Sequence, residues 1–236
     1  MLFRSLGVLA IAADIRSVDH VEYTPAPDIL HESAGHAPIV ASRRYAEYLK
    51  AAGQVGFRAI ASAADQATFE AVRNLSVVKE DPAAGPDEVR LAEERLAAAA
   101  ASRGGASENA RASRLYWWTA EYGLMGDPER PWIYGAGLLS SIGESSRCLG
   151  EEVRRIELSP ACVEVDFDIT RMQPQLFVAR DFEHLFEVVR AFAATLSWKR
   201  GGAAGLGEAL AAGTRAHLGL GGGGETPGRG AEGIRG

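Results

Sequence analysis

Apolar positions follow helical spacing over most of the chain and alternate only in short stretches after Asp127. Behind Ser42, a residue suited to an N-cap, Tyr45, Tyr48 and Leu49 share one helical face and predict a helix over 42–52. Phe69, Val72 and Leu75 predict a second helix over 65–79. The segment DPAAGPDE at 81–88 breaks the pattern, and Pro86 suits the start of a third helix that ends before Gly104–Gly105. A fourth helix is predicted from Ser107 to about Leu124, its aromatic residues surrounding a single acid, Glu121. PWIYGAGL, VRRIELS, CVEVDFDIT and PQLFVAR carry the β-branched or aromatic alternation of strands. Asp181 then caps a last helix over DFEHLFEVVRAFAATL. The fold class expected is mainly α with a few short β-strands.

Composition narrows the function classes. The 236 residues carry 25 Lys and Arg against 31 Asp and Glu, a net charge of −6. A mildly acidic chain without a basic run argues against nucleic acid as partner. No stretch reaches the roughly 20 apolar residues of a membrane span, and the opening MLFRSLGVLAIAAD reads as buried strand or loop rather than a leader. Two cysteines, Cys148 and Cys162, make no disulfide framework, so a cytoplasmic location is expected. Residues 200–236 hold 14 of the 27 glycines, an entropic burden that predicts a disordered tail behind a domain over 1–199.

The chemistry concentrates in YTPAPDILHESAGHAPIV at 23–40. Its prolines stiffen the approach to two histidines, His31 and His36, with His20 nearby. Five residues at 100° each set side chains about 140° apart on a regular α-helix, so the pair can share a ligand only if the backbone adjusts, for which Gly35 is the candidate. Glu121, set among Leu115, Tyr116, Trp117, Trp118 and Tyr122, is either solvent-facing or buried beside a cation. At a separation of four, Trp117 and Glu121 share a helix face. Two imidazoles and one carboxylate leave three adjacent positions open, the facial triad of non-haem Fe(II) oxygenases. A zinc hydrolase with Glu32 as base uses the same residues.

YTPAPDILHESAGH, YWWTAEYGL and YGAGLLSSIGE, in this order and at these separations, resemble the pterin-dependent aromatic amino acid hydroxylases, the phenylalanine 4-hydroxylase family, and its bacterial branch in particular. The resemblance runs from about Ile11 to about Trp198. It implies the catalytic-domain fold of that family, Fe(II) and tetrahydrobiopterin as cofactors, and an aromatic amino acid and dioxygen as partners. It implies that His31, His36 and Glu121 ligate iron. It implies further that Arg16, fixed by Asp28, clamps the substrate carboxylate, a pairing that charge logic favours. Thr24, Gly137 and Ser140 match positions that bind the amino acid; Trp117, Pro25 and Tyr122 lie around its ring, and Glu144 matches an acid behind the pocket. Glu32 and Tyr116 match the pterin side. The family's pterin-cradling loop lies N-terminal to the matched region, so a shortened chain is expected, with an inactive fragment that binds metal and amino acid as the alternative to a working enzyme.

Overall fold

The computed structural model describes residues 29–80, 83–101, 105–168, 171–220 and 224–229. Arg16, Thr24, Pro25 and Asp28 lie outside them. The described chain is mainly helical with short strands, as its periodicity requires, and it forms two compact units. One is built on the described residues up to Phe57 together with Ala112–Ala194; the other on Arg58–Arg111 and the residues from Thr195 onward.

The first unit opens on a π-helical turn, His31–His36, that runs into the short helix α1 (Ala37–Val40). Helix α2 (Arg43–Arg58) buries Tyr45, Tyr48 and Val55, and the Ser42 hydroxyl accepts the Tyr45 N–H at 3.5 Å. Helix α5 (Glu108–Tyr116) enters this unit through its second half and passes into another π-turn, Trp117–Glu121. The chain then folds into a four-stranded mixed sheet. Strand β1 (Gly123–Asp127) pairs antiparallel with β2 (Arg130–Ile133) and parallel with β4 (Gln175–Ala179), while β4 pairs parallel with β3 (Arg154–Glu157). The order β2-β1-β4-β3 places the most apolar strand inside, and Leu176, Phe177, Val178 and Ala179 are all buried. Helix α8 (Phe182–Thr195) buries His184, Leu185, Val188, Val189, Phe192 and Ala193, one stripe at helical spacing. Asp181 caps it, accepting the His184 N–H at 2.8 Å.

Two of the segments expected as strands depart from that expectation. PWIYGAGL is strand only through Ile133, in β2, and the chain then turns helical as α6 (Ala136–Ser140) and α7 (Ile142–Arg147), with the Ser141 hydroxyl capping α7 at the Glu144 N–H, 3.4 Å away. In CVEVDFDIT the alternation of Val163, Val165 and Phe167 gives way to a 3-10 turn over Pro160–Glu164. Pro160 starts that turn and burial of Cys162 and Val163 holds it, so local proline geometry overrides the period-2 pattern. Conversely, the helix expected to reach Leu124 stops at Glu121 and β1 begins at Gly123. A Cβ at Gly123 would run into the Thr119 carbonyl and the Tyr134 ring.

In the second unit, α3 (Ala63–Glu80) packs against α4 (Pro86–Ala101). Ser62 and Asp65 cap α3 reciprocally: Ser62 Oγ accepts the Asp65 N–H at 3.1 Å and Asp65 accepts the Ser62 N–H at 2.8 Å. The residues read as a disordered tail are ordered in part. After α9 (Ser197–Arg200), α10 covers Gly202–Ala212, and β5 (Arg215–Leu220) pairs antiparallel with β6 (Gly224–Arg229). The glycines of α10 alternate with Ala and Leu, strong helix formers. Glu208 ties it to Ser197 and to Arg200, 3.0 Å away, and Gly213 in the left-handed conformation ends it.

Candidate metal centre

The histidine spacing, awkward on an α-helix, is resolved by the backbone. Over His31–His36 the helix hydrogen-bonds from residue i+5 to i, closing with the Ala37 N–H on the Glu32 carbonyl. A wider turn brings residues five apart onto one face. The two rings meet edge-on with centroids 5.0 Å apart. Gly35 permits this, because a Cβ there would stand 2.5 Å from the Ala136 carbonyl oxygen of α6.

Glu121 arrives on the second π-turn, where the Tyr122 N–H reaches the Trp117 carbonyl at 2.8 Å. One carboxylate oxygen lies 3.5 Å from His31 Nε2 and the other 3.2 Å from His36 Nε2. Both imidazoles therefore present a nitrogen to the same carboxylate. On His31 the remaining nitrogen, Nδ1, is hydrogen-bonded to Ser140 Oγ at 2.8 Å, which fixes the ring and leaves Nε2 toward Glu121. Burial lowers the His36 pKa, but the hydrogen bond and charge of Glu121, with the charge of Glu32, outweigh it and raise the value overall. Ligand atoms of His31, Glu32 and His36 lie within 4.8 Å of one another, so a second carboxylate stands close. Two imidazole nitrogens with a carboxylate from Glu32 or Glu121 beside them are a donor set that fits a divalent cation with N/O preference.

The i+5 geometry also alters the aromatic wall. The ring stacked on Trp117 is that of Tyr122, five residues on, at 4.6 Å and 23°. The opposite partner is Phe167, stacked at 4.2 Å and 10°, which the sequence reading missed. Phe167 is 50 positions from Trp117 in sequence, and no local pattern links them. Trp118 and Arg114 deliver it: the Trp118 indole donates to the Val165 carbonyl at 2.8 Å, and Arg114 pairs with Asp166 at 3.2 Å. The Trp117 indole N–H is buried and has no acceptor among the described residues.

Gly135 and Gly137 bring α6 against this turn. A Cβ at Gly135 would lie 2.5 Å from the Glu121 carbonyl oxygen, and one at Gly137 would lie 2.8 Å from the Tyr122 ring. Tyr116, the last residue of α5, has its hydroxyl pKa raised far above the ordinary value by burial and by the charge of Glu121. Glu144 stands on α7, 1% exposed, and accepts the Gln173 main-chain N–H at 3.2 Å. Burial pushes its carboxyl up to about 7, against the pull of that hydrogen bond and of Arg147. The structure thus gathers His31, Glu32, His36 and Glu121 and sets Ser140 directly behind them.

Among the described residues no helix is long and apolar enough to cross a membrane, and both cysteines are free and buried. Phenylalanine-4-hydroxylase of Rattus norvegicus is 32% identical over 177 residues, covering 74% of this chain and 29% of the rat protein. That of Caulobacter vibrioides is 27% identical over 175 residues, covering 74% and 42%. The chain therefore spans less than a third of the mammalian relative and under half of the bacterial one. Among solved structures, Chromobacterium violaceum phenylalanine hydroxylase with bound oxidized Fe(III) superposes with a TM-score of 0.52 at 23% identity, over 83% of this chain and 57% of that one. That likeness shows a shared fold. The sequence pattern of the biopterin-dependent aromatic amino acid hydroxylases matches residues 3–73 and 91–200. That match takes in both π-turns and the glycine-rich segment packed on them, and the chain belongs to the biopterin-dependent aromatic amino acid hydroxylases.

Proposed function

We propose that the chain is an Fe(II)- and tetrahydrobiopterin-dependent monooxygenase that hydroxylates the ring of an aromatic amino acid, converting L-phenylalanine to L-tyrosine. The observation that carries this reading is that Glu121, from the second π-turn, offers one carboxylate oxygen to His31 Nε2 and the other to His36 Nε2 of the first. The donor set suits ferrous iron, with His31 Nε2, His36 Nε2 and a Glu121 oxygen as ligands and adjacent positions open. Iron bound there, with a reduced pterin, supplies the oxygen-activating chemistry.

The chain's own residues supply placement. Ser140 holds the His31 ring in orientation through Nδ1. Trp117, braced by Tyr122 and Phe167, forms a stiff wall whose two faces are already covered, so a substrate ring meets an edge rather than a face. That limits ring size and favours phenylalanine over tryptophan. Gly137 lets the Tyr122 ring lie directly against α6, and Glu144 stands behind it on α7. By the family motif, Arg16 with Asp28 is assigned to the substrate carboxylate, as a bidentate guanidinium suits, Thr24 and Pro25 to the same amino acid, and Glu32 and Tyr116 to the pterin.

Anaerobic reconstitution with Fe(II), followed by phenylalanine, tetrahydrobiopterin and air, tests the reading. The expected product is tyrosine, identified by mass and retention, with near-stoichiometric iron before the reaction and none retained in His36→Ala. Iron uptake and phenylalanine binding without product would identify a non-catalytic binding protein and overturn the monooxygenase reading.

A further inference from the structure

The second π-turn contributes one ligand, Glu121, and its last residues are also held from outside the turn. Helix ends leave carbonyls without intrahelical partners, and this helix ends in a π-turn directly before β1. Helix α2 supplies a partner for one of them and a second contact beside it. Tyr45 and Tyr48 are both 0% exposed, one helical turn apart on the same face. The Tyr45 hydroxyl donates to the Ala120 carbonyl at 3.4 Å. The Tyr48 hydroxyl donates to Thr119 Oγ1, which itself donates to the Leu115 carbonyl at 2.5 Å. The two residues immediately before Glu121 are thus tethered to a helix that holds no ligand of the centre.

We propose that Tyr45 and Tyr48 are positioning residues for the metal centre, holding the second π-turn through Ala120 and Thr119 and so setting the aim of the Glu121 carboxylate. The inference rests on the metal reading above. A phenylalanine at either position keeps the ring packing, namely the Tyr45–Tyr134 and Tyr48–Phe186 edge contacts at 6.1 and 6.3 Å, and deletes only the tether. Thr119 is the link in the Tyr48 relay, so a serine there keeps the hydroxyl and a valine does not.

The test combines amide hydrogen exchange on the metal-free protein with Co(II) titration followed by visible absorption. In the double variant Tyr45→Phe/Tyr48→Phe, exchange of the Trp118–Tyr122 amides accelerates about tenfold while α8 keeps its protection. Co(II) affinity falls about tenfold with a shifted spectrum. Thr119→Val weakens the site as Tyr48→Phe does, and Thr119→Ser restores it. Unchanged exchange in the turn, an unchanged Co(II) spectrum and affinity, or a loss of protection spread equally over α8 overturns the proposal. Absence of Co(II) binding by the unsubstituted protein overturns the metal reading instead, and the exchange data then still decide whether the tyrosines hold the turn.

Discussion

The two π-turns solve different problems by different means. The first carries two candidate ligands at its ends, and its mutual geometry is local: once the backbone closes from i+5 to i, His31 and His36 face the same way. It sits partly exposed, and from α6 it takes the close approach that Gly35 permits and the Ser140 hydroxyl on His31 Nδ1. The second carries one ligand and buries Trp118, Thr119 and Ala120 completely enough that its orientation depends on what surrounds it. Partners for it come from α2, from the glycines of α6 and from Phe177, whose ring meets Trp118 at 5.4 Å. A ligand pair on one turn is thus a backbone device, whereas a lone ligand is placed by tertiary contacts.

The largest effect that can separate these two devices is expected at Gly35. In Gly35→Ala the new methyl meets main-chain oxygen of α6 at 2.5 Å, where neither partner is a flexible side chain. Opening the structure to relieve that overlap costs about 1–3 kcal/mol and shifts both histidines together. Denaturant unfolding should register the loss, and metal analysis should show iron retention abolished. Retention at wild-type level would show that the pair does not depend on seating against α6.

A smaller effect is expected from Ser140→Ala, which leaves both turns in place and removes the partner of His31 Nδ1. Metal affinity should fall roughly 10–100-fold, read by competition with a chelating indicator, with little change in thermal midpoint. An equal loss in stability would mean that Ser140 supports the fold rather than the ring.

The variant with the least effect on the metal centre, and a control that leaves the metal ligands untouched, is Glu144→Gln. The folded carboxyl has its pKa raised to about 7, from 4.5. The unfolded chain therefore releases this proton first as pH rises. Stability from this site is fully present below about 4.5 and is lost as pH climbs through about 7. The wild-type protein should lose roughly 2–3 kcal/mol here across that window, and Glu144→Gln should not. Because Gln retains an acceptor for the Gln173 N–H, the variant's advantage should grow with pH in parallel unfolding curves. Identical pH dependence in the two proteins would place the carboxyl's ionisation elsewhere.

Much of this was legible in the sequence. Helical periodicity located α2, α3, α4 and α8, with the caps Ser42 and Asp181 of the first and last, because burial on one face imposes a period that composition reveals. The candidate ligands His31, His36 and Glu121 stood out as two rare imidazoles behind a stiff turn and one acid among aromatics, and their co-linear motifs carried the family. Local pattern failed where tertiary packing overrode it. The period-2 run toward Phe167 opens as a 3-10 turn over Pro160–Glu164, started by Pro160, and Trp118 and Arg114 hold the residues after it. Glycines after Arg200 predicted disorder, yet the Ala and Leu between them form α10 once Glu208 has Ser197 and Arg200 to hold.

The sequence by itself determined which residue types were available and that the fold would be helical with a small sheet, since both follow from composition and period. Tertiary structure alone decided that a five-residue histidine spacing would be read on a π-turn. It also decided that Glu121 would reach both rings and that Phe167 would close the aromatic stack. The physical reason is common to all three. A π-turn forgoes the regular i to i+4 hydrogen bonds, so it persists only where neighbouring segments supply contacts that favour it, and those neighbours lie tens of residues away along the chain.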